Sequence, residues 1–187
     1  FTPQTNMVFE VAKIAHTVLP QAKIITGGVN ARNMVERFNR TGLFDSICMS
    51  EGEEWIQNYI LGIQGQNNPT VNLDDLPLPA WDLLPFEKYD QIASPHGVDL
   101  THEKRYAPIM TSRGCPFRCA YCHISVEKEG IGELRVKSVD RVLKEIDILK
   151  RLGVKKLFIE DDSLLAKKKR VKEIFREITH TGLTIAD

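Results

Sequence analysis

The chain has 187 residues, of which 42% are hydrophobic and 27% charged, and this composition is ordinary for a soluble α/β protein of one or two domains. The formal net charge is zero, which argues against a broad electrostatic surface for nucleic acid. No apolar run approaches the ~20 residues of a membrane span, and no signal peptide is visible, so we expect a cytoplasmic protein.

Residues 1–64 follow a helix–strand–helix–strand–helix rhythm, which predicts a parallel sheet with helices on its faces, as in doubly wound α/β domains. Cys48, the only cysteine of this region, is expected to pack as a small hydrophobe in the second strand. The predicted elements are a helix over 5–19, a strand over 22–26, a helix over 31–41, a strand over 44–49 and a helix that ends near residue 63.

Two turns of this region follow the predicted strands. Gly27 and Gly28 come after the first strand, and Glu51 and Gly52 come after the second. Ligands on parallel sheets bind beyond the carboxyl ends of the strands, and a glycine lets the backbone approach a ligand closely. These four residues are therefore candidate cofactor-binding residues. Simple turn geometry is the alternative explanation for the glycines.

Residues 65–105 differ from their surroundings because they contain five prolines and show no sustained periodicity. The stretch 73–85, which includes Trp81, is apolar enough to pack on a surface. It is too rich in proline to form a helix or a central strand. We therefore expect an ordered strap that joins two domains, rather than a mobile linker.

The second unit, 106–187, begins with a strand whose carboxyl end leads into three closely spaced cysteines. Ser138 is predicted to cap the following helix, which Gly153 ends, and Gly182 is predicted to end the next one. The resulting β-loop-α-β-α-β order is the opening of a (β/α) barrel. Because an open barrel exposes its edges and interior, three strands are too few, and we expect the sequence to lack a C-terminal portion.

Two charged groups lie in this unit. The acidic group follows the second strand and consists of Glu160, Asp161 and Asp162. It has two explanations: it accepts hydrogen bonds from a cationic ligand, or it is a solvated helix entry, since carboxylates are favoured at helix N-termini. The basic group consists of residues 167–170 and is interpreted as a solvated face, with an anionic partner as the alternative.

The cysteines Cys115, Cys119 and Cys122 occupy eight residues with the spacing C-x3-C-x2-C, and an aromatic residue, Tyr121, precedes the last one. Thiolates are soft ligands suited to iron–sulfur clusters, zinc and copper(I). Three thiolates leave one iron of a four-iron cluster open, whereas an electron carrier normally has all four irons bound by the protein. The open iron is where chemistry can happen.

The same residues fit other interpretations. Cys119 to His123 satisfies C-x-x-C-H, the attachment pattern of c-type haem, and the three cysteines with His123 can bind zinc. Haem attachment requires export and surroundings unlike this α/β pattern, while zinc motifs usually come as two spaced pairs. Structural disulfides are not needed by a chain that can build its core without them. The spacing therefore favours the cluster.

The stretch 111–122, with the sequence TSRGCPFRCAYC, resembles the cysteine motif of the radical S-adenosylmethionine (SAM) superfamily. The chain as a whole resembles the members of that family that carry a cobalamin-binding domain. The resemblance extends to 73–85, to 135–138 and to the two aspartates at 161–162, and it is weaker in 1–64. It implies the C-terminal part of a doubly wound cobalamin-binding-type domain, followed by the first half of a radical SAM (β/α) partial barrel.

The resemblance also implies cofactors and their residues. In the family, three such cysteines hold a 4Fe–4S cluster, and the amino and carboxylate groups of SAM bind the fourth iron. The metal ligands implied here are Cys115, Cys119 and Cys122. Tyr121 is implied to lie beside the adenine of SAM, and the acidic residues implied to accept hydrogen bonds from its amino group are Glu160, Asp161 and Asp162. The residues implied to lie at the cobalamin nucleotide tail are Gly27, Gly28, Glu51 and Gly52.

The implied function is reductive cleavage of SAM by an enzyme that takes its electron from a donor such as flavodoxin or ferredoxin. With cobalamin as methyl carrier, methylation of an unactivated carbon is the expected reaction. The alternative is a metal-binding regulatory module, with zinc or an iron–sulfur cluster, that has no turnover. We expect the 187 residues alone to be inactive, because half a barrel does not shield a radical.

Overall fold

The structure is a computed structural model that describes residues 4–63, 70, 72–89, 105–124 and 133–185. These residues divide into two units, one up to Thr70 and the other from Asn72 onward. Within the described ranges, no helix is both long and apolar enough to cross a membrane.

The described helices and strands have the following bounds. The first unit contains α1 (Thr5–Val18), β1 (Ile25–Thr26), α2 (Gly28–Asn33), α3 (Val35–Arg40), β2 (Ser46–Ile47) and α4 (Gly52–Leu61). The second unit contains α5 (Phe86–Tyr89), β3 (Tyr106–Ile109), β4 (Ser112–Arg113), β5 (Arg135–Val136), α6 (Val139–Arg151), β6 (Lys156–Ile159), α7 (Lys168–Thr181) and β7 (Thr184–Ile185).

The strands of the first unit, β1 and β2, pair in parallel, with Ile25 opposite Ser46. The alternation of helices and strands predicted from the sequence is therefore present. The helix predicted over 31–41 is instead two helices, α2 and α3. They are separated by Met34, whose φ of −126° and ψ of 33° lie outside the helical region.

Helix α1 buries a different side from the one that its apolar periodicity marks. Its half-buried Phe9 ring packs edge-on against buried Phe38, with ring centroids 5.1 Å apart, and Thr5 and Ala12 are buried. Four residues of the apolar stripe remain 57–67% exposed in the described structure, namely Met7, Val11, Ile14 and Val18. The periodicity thus predicts the helix correctly but not its packed face.

Gly27 lies where the turn after β1 approaches the end of β2. A methyl group at Gly27 would lie 2.9 Å from Cβ of Cys48, which is buried as the sequence predicts. At Gly52, on the neighbouring turn, no atom lies within 4 Å of the corresponding position. Close packing with Cys48 therefore requires glycine at position 27.

We expect Gly27→Ala to destabilise the first unit by about 1–3 kcal/mol, because the added methyl group overpacks the contact with Cys48. Gly52→Ala is the matched control and is expected to be neutral or slightly stabilising, since alanine is the better helix former. Denaturant unfolding followed by the fluorescence of Trp55 measures both. Equal stability of the two variants would contradict the close contact.

The second unit is built on a parallel sheet with strand order β3-β6-β7, in which Tyr106 lies opposite Lys156 and Lys156 opposite Thr184. Helix α6 connects β3 to β6 and helix α7 connects β6 to β7, so the predicted β-α-β-α-β order is confirmed. Side chains of a strand alternate between its two faces, and one face here forms the core with the helices. The core includes Ala107, Ile109 and Leu157 from the sheet, Val142, Ile146 and Leu149 from α6, and Ile174 and Ile178 from α7.

The described part of the proline-rich segment, 72–89, is ordered as two 3₁₀ turns and α5, and it packs within the second unit. Leu73 is fully buried. The backbone N–H of Ser138 donates to both carboxylate oxygens of Asp74, at 2.9 and 3.2 Å, and Arg141 donates to the carbonyl of Leu76. Burial raises the pKa of Asp74, but the hydrogen bonds from Ser138 and the charges of Arg141 and Arg170 outweigh it, so this pKa lies below its usual value.

A buried ion pair lies beside this segment. Glu145 of α6 is 1% exposed, and its carboxylate accepts hydrogen bonds from Trp81 Nε1 at 3.1 Å and from Lys137 Nζ at 2.7 Å. The indole of the proline-rich segment and an ammonium group thus share one carboxylate inside the second unit.

Candidate functional site

The carboxyl ends of β3 and β6 meet at one edge of the sheet, because these strands are parallel neighbours. The backbone N–H of Glu160 donates to the carbonyl of Ile109 at 3.0 Å, which continues the ladder to this edge. After β3 the chain continues into the stretch between β3 and α6 that carries Cys115, Cys119 and Cys122, which we call the cysteine segment. After β6 it continues into the carboxylates at 160–162. The candidate cysteines and the candidate carboxylates therefore follow the same edge of the sheet.

A short antiparallel pair closes the base of the cysteine segment. Ser112 of β4 lies opposite Val136 of β5, so the chain leaves and returns at one place. Gly114 has a φ of +81°, and a methyl group there would lie 3.0 Å from the carbonyl oxygen of Glu133. Glycine is needed at this position for both reasons. Strands of two residues show no periodicity, so this pair is not predictable from the sequence.

Cys115, Cys119 and Cys122 all lie in the excursion that β4 and β5 close, and none of them forms a disulfide. Cys119 is exposed, while Cys115 and Cys122 are half-buried. The backbone N–H of Cys122 donates to the carbonyl of Cys119 at 3.0 Å. Among the described residues, no three side chains of the metal-binding types His, Cys, Asp and Glu are gathered into a ligand group. The donor set of three unpaired cysteines nevertheless suits a soft metal or an iron–sulfur cluster.

Asp161 and Asp162 bind the beginning of the cysteine segment. Asp161 accepts hydrogen bonds from the backbone N–H and the hydroxyl of Thr111, both at 2.6 Å. It also accepts them from the backbone N–H of Ser112 at 3.0 Å and the hydroxyl of Ser112 at 2.7 Å. Asp162 accepts from the backbone N–H of Gly114 at 3.0 Å. The sequence placed these carboxylates at the site but did not indicate these partners.

Arg170, the last residue of the basic run, turns inward to the same place. Its Nη2 donates to the carbonyl of Thr111 at 2.7 Å and its Nε to the carbonyl of Lys137 at 2.7 Å. Burial lowers the pKa of Arg170, although the charges of Asp161 and Asp74 oppose this. The sequence interpretation as a solvated face fits the exposed lysines at 167–169 but is wrong for Arg170.

Glu160 precedes the two aspartates in the chain but has a different environment. It lines a cavity of about 340 Å³ on the sheet face that carries Tyr106 and Pro108, opposite the face that packs on the helices. The wall of the cavity is largely aromatic and includes Trp81, Phe86, Tyr89, Tyr106 and Phe158. Tyr121, the aromatic residue of the cysteine segment, is 93% exposed.

The candidate residues of the first unit lie on the two turns after β1 and β2. Gly28 and Gly52 begin α2 and α4, and no atom lies within 4 Å of the place of a Cβ at either residue. Glu51 accepts a hydrogen bond from the backbone N–H of Thr70 at 2.8 Å. The contact of Gly27 with Cys48 brings the two turns together, while the binding role of these residues stays a prediction.

Comparison with known proteins identifies the class. The family described as the radical SAM superfamily matches residues 109–186, which run from the end of β3 through the cysteine segment to β7. An uncharacterised methyltransferase of Pyrococcus horikoshii is 31% identical over 95% of the chain, and the chain spans 41% of that relative. The cytidylyl-2-hydroxyethylphosphonate methyltransferase of Streptomyces wedmorensis is 26% identical over 98% of the chain, which spans 42% of it.

A solved structure has the same fold. It is the radical S-adenosylmethionine methyltransferase TsrM of Kitasatospora setae, with tryptophan substrate and a SAM analogue bound. The TM-score is 0.61 with 15% sequence identity, over 95% of the present chain and 36% of TsrM. The match supports the parallel α/β fold of the described residues. Residues 109–186 of the chain thus belong to the radical SAM superfamily.

Proposed function

We propose that the protein containing this chain is an enzyme that uses a 4Fe–4S cluster to cleave SAM reductively. We further propose that it methylates a carbon atom with cobalamin as methyl carrier. The observation that carries the proposal is that three cysteines, none of them in a disulfide, follow the carboxyl end of β3 in a parallel sheet, and ligands of such folds bind at this edge. The chain spans about two fifths of the relatives named above, so the activity is proposed for the whole protein.

Several candidate residues of the second unit have a defined role in this proposal. Cys115, Cys119 and Cys122 would hold the cluster, which when bound supplies electron-transfer chemistry that no side chain provides. Exposed Tyr121 is available to contact the adenine of SAM. Glu160 and Asp162 remain the candidates to accept hydrogen bonds from its amino group. The aromatic cavity beside Glu160 offers a surface that excludes water from the reacting groups.

The first unit is proposed to be part of a cobalamin-binding domain of the doubly wound type, with 65–105 as the strap between domains. In support, its strands are parallel and the open space at Gly28 and Gly52 would let a ligand approach the backbone. Two of the relatives reported above are named methyltransferases, which favours methylation over other radical reactions. The electron would come from a small donor such as flavodoxin or ferredoxin.

The test uses the protein translated from its complete open reading frame, reconstituted anaerobically with iron and sulfide. With SAM and either dithionite or a flavodoxin reducing system, we expect formation of 5′-deoxyadenosine, and we expect cobalamin to bind when titrated. A cluster-loaded protein that forms no 5′-deoxyadenosine, even with candidate substrates, would instead favour a metal-binding module without turnover. Cleavage of SAM without any cobalamin binding would contradict only the cobalamin part.

A further inference from the structure

The carboxylate of Asp161 accepts four hydrogen bonds from Thr111 and Ser112, which precede the cysteines. An ionised carboxylate has about four acceptor sites. In Asp161 each oxygen accepts one backbone N–H or hydroxyl hydrogen from Thr111 and another from Ser112. Both partners are buried, at 1% and 2% exposure, so water does not readily replace the carboxylate. No acceptor site is left over for the amino group of a bound molecule.

Arg170 also binds Thr111, through both the hydroxyl and the carbonyl of that residue. The Thr111 hydroxyl donates to Asp161 and accepts from Nη1 of Arg170 at 3.2 Å, so one side chain links the two opposite charges. Arg170 also binds the carbonyls of Thr111 and Lys137, which lie on the outgoing and returning chains of the cysteine segment. Opposite charges that are partly buried and share hydrogen-bonded partners compensate each other.

The hydrogen bonds stop one residue before the first cysteine. Asp162 binds the backbone N–H of Gly114, so two consecutive carboxylates together hold three of the four residues 111–114. Cys115 follows directly. Its backbone position is thus determined by contacts that connect the ends of β3 and β6, about fifty residues apart in the chain.

We propose that Asp161, with Arg170 as its counter-charge, is a positioning residue that fixes the base of the cysteine segment and is not a ligand of SAM. This inference rests on the function proposed above. A SAM amino group at Asp161 would have to displace a buried donor, and that donor would lose its partner. Residues that orient the ligands of a metal affect its retention, although they do not touch it.

The first readout needs no cluster. In the apoprotein from the complete reading frame, Asp161→Asn keeps the shape of the side chain but removes its charge and one acceptor oxygen. We expect amide hydrogen exchange of residues 111–114 to become faster by about tenfold or more, as the loss of a hydrogen bond to a charged group implies. Asp147→Asn, at an exposed carboxylate of α6, is the matched control and should leave this exchange unchanged.

The second readout follows the loaded protein. We expect Asp161→Asn to lose cluster iron to a chelator about 10–100-fold faster than the wild type. The affinity for SAM of each remaining cluster should be unchanged. Thr111→Val removes only the hydroxyl between Asp161 and Arg170, keeps every charge, and serves if Asp161→Asn does not fold. It should show a smaller increase in iron loss, and Thr111→Ser should restore the wild-type rate and the EPR signal of the reduced cluster.

The outcomes separate the two proposals. Wild-type iron retention in Asp161→Asn together with weakened SAM binding would overturn the inference and make Asp161 a SAM ligand. Unchanged amide exchange in Asp161→Asn, or equal iron loss in Thr111→Val and Thr111→Ser, would also overturn it. A wild-type protein that takes up no cluster would contradict the proposed function itself.

Discussion

Replacing any one of Cys115, Cys119 and Cys122 with serine in the complete protein should reduce the iron bound after anaerobic reconstitution by more than about tenfold and abolish the proposed reductive cleavage of SAM. The physical reason is that three thiolates provide the minimum number of soft ligands for a cluster with one open iron. The fourth cysteine, Cys48, is buried in the first unit, where its thiol donates toward the carbonyl of Ser50 at 3.4 Å. Iron and sulfide content per protein, with visible absorption, measure the effect.

Cys48→Ala is the matched control for these variants. It removes a thiol of the same chain outside the proposed site, so the cluster content should equal that of the wild type. Full iron and sulfide in one of the three serine variants would remove that cysteine from the ligand set. Loss of the cluster in Cys48→Ala with the fold intact would equally contradict the assignment.

Glu145→Ala should be among the most destabilising single changes in the second unit, at about 3–5 kcal/mol, because it leaves a buried ammonium group without its partner. Lys137 is itself largely buried, with 13% of its side chain exposed, and Trp81 loses its acceptor as well. Since domains are stable by only about 5–15 kcal/mol, this is a large share of the total. Thermal or urea unfolding, followed by the fluorescence of Trp81, measures it.

Two variants make the test of Glu145 specific. Glu145→Gln keeps an acceptor for Trp81 but not the charge for Lys137, so an intermediate loss of about 1.5–3 kcal/mol is expected. Glu36→Ala breaks an ion pair with Arg40 in which both side chains are about four-fifths exposed, and it should cost less than about 0.5 kcal/mol. Because this pair lies in the first unit, its unfolding is followed by the fluorescence of Trp55. Equal losses in the free energy of unfolding for Glu145→Ala and Glu36→Ala would contradict the expectation that the buried pair stabilises the fold more than the exposed pair.

The helix ends of the second unit were predictable because the signals are local. Ser138 accepts a hydrogen bond from the backbone N–H of Arg141 at 3.1 Å, as its place before an apolar periodic stretch predicts. Gly182 has the left-handed conformation that ends α7, with a φ of +77°. The order of strands followed from the same local pattern. The break of the helix at Met34 did not, because no glycine or proline marks it.

The interior of the site was less predictable because its contacts are distant in sequence. The spacing of the cysteines and the position of the carboxylates were visible, but the bonds from Asp161 to Thr111 span fifty positions of the chain. Arg170 belongs to a run of four basic residues, and no local pattern separates the inward one from the rest. A signal did exist for Glu145: it is a charged residue within the apolar positions of α6, which include Val142, Ile146 and Leu149.

The most direct test of the account is the EPR spectrum of the reduced, anaerobically reconstituted wild-type protein, recorded before and after addition of SAM. We expect the signal of one 4Fe–4S cluster, and we expect SAM to change this signal, because an iron without a protein ligand can bind SAM. Stoichiometric zinc with no cluster signal, a covalent haem spectrum, or a cluster signal that SAM leaves unchanged would contradict it.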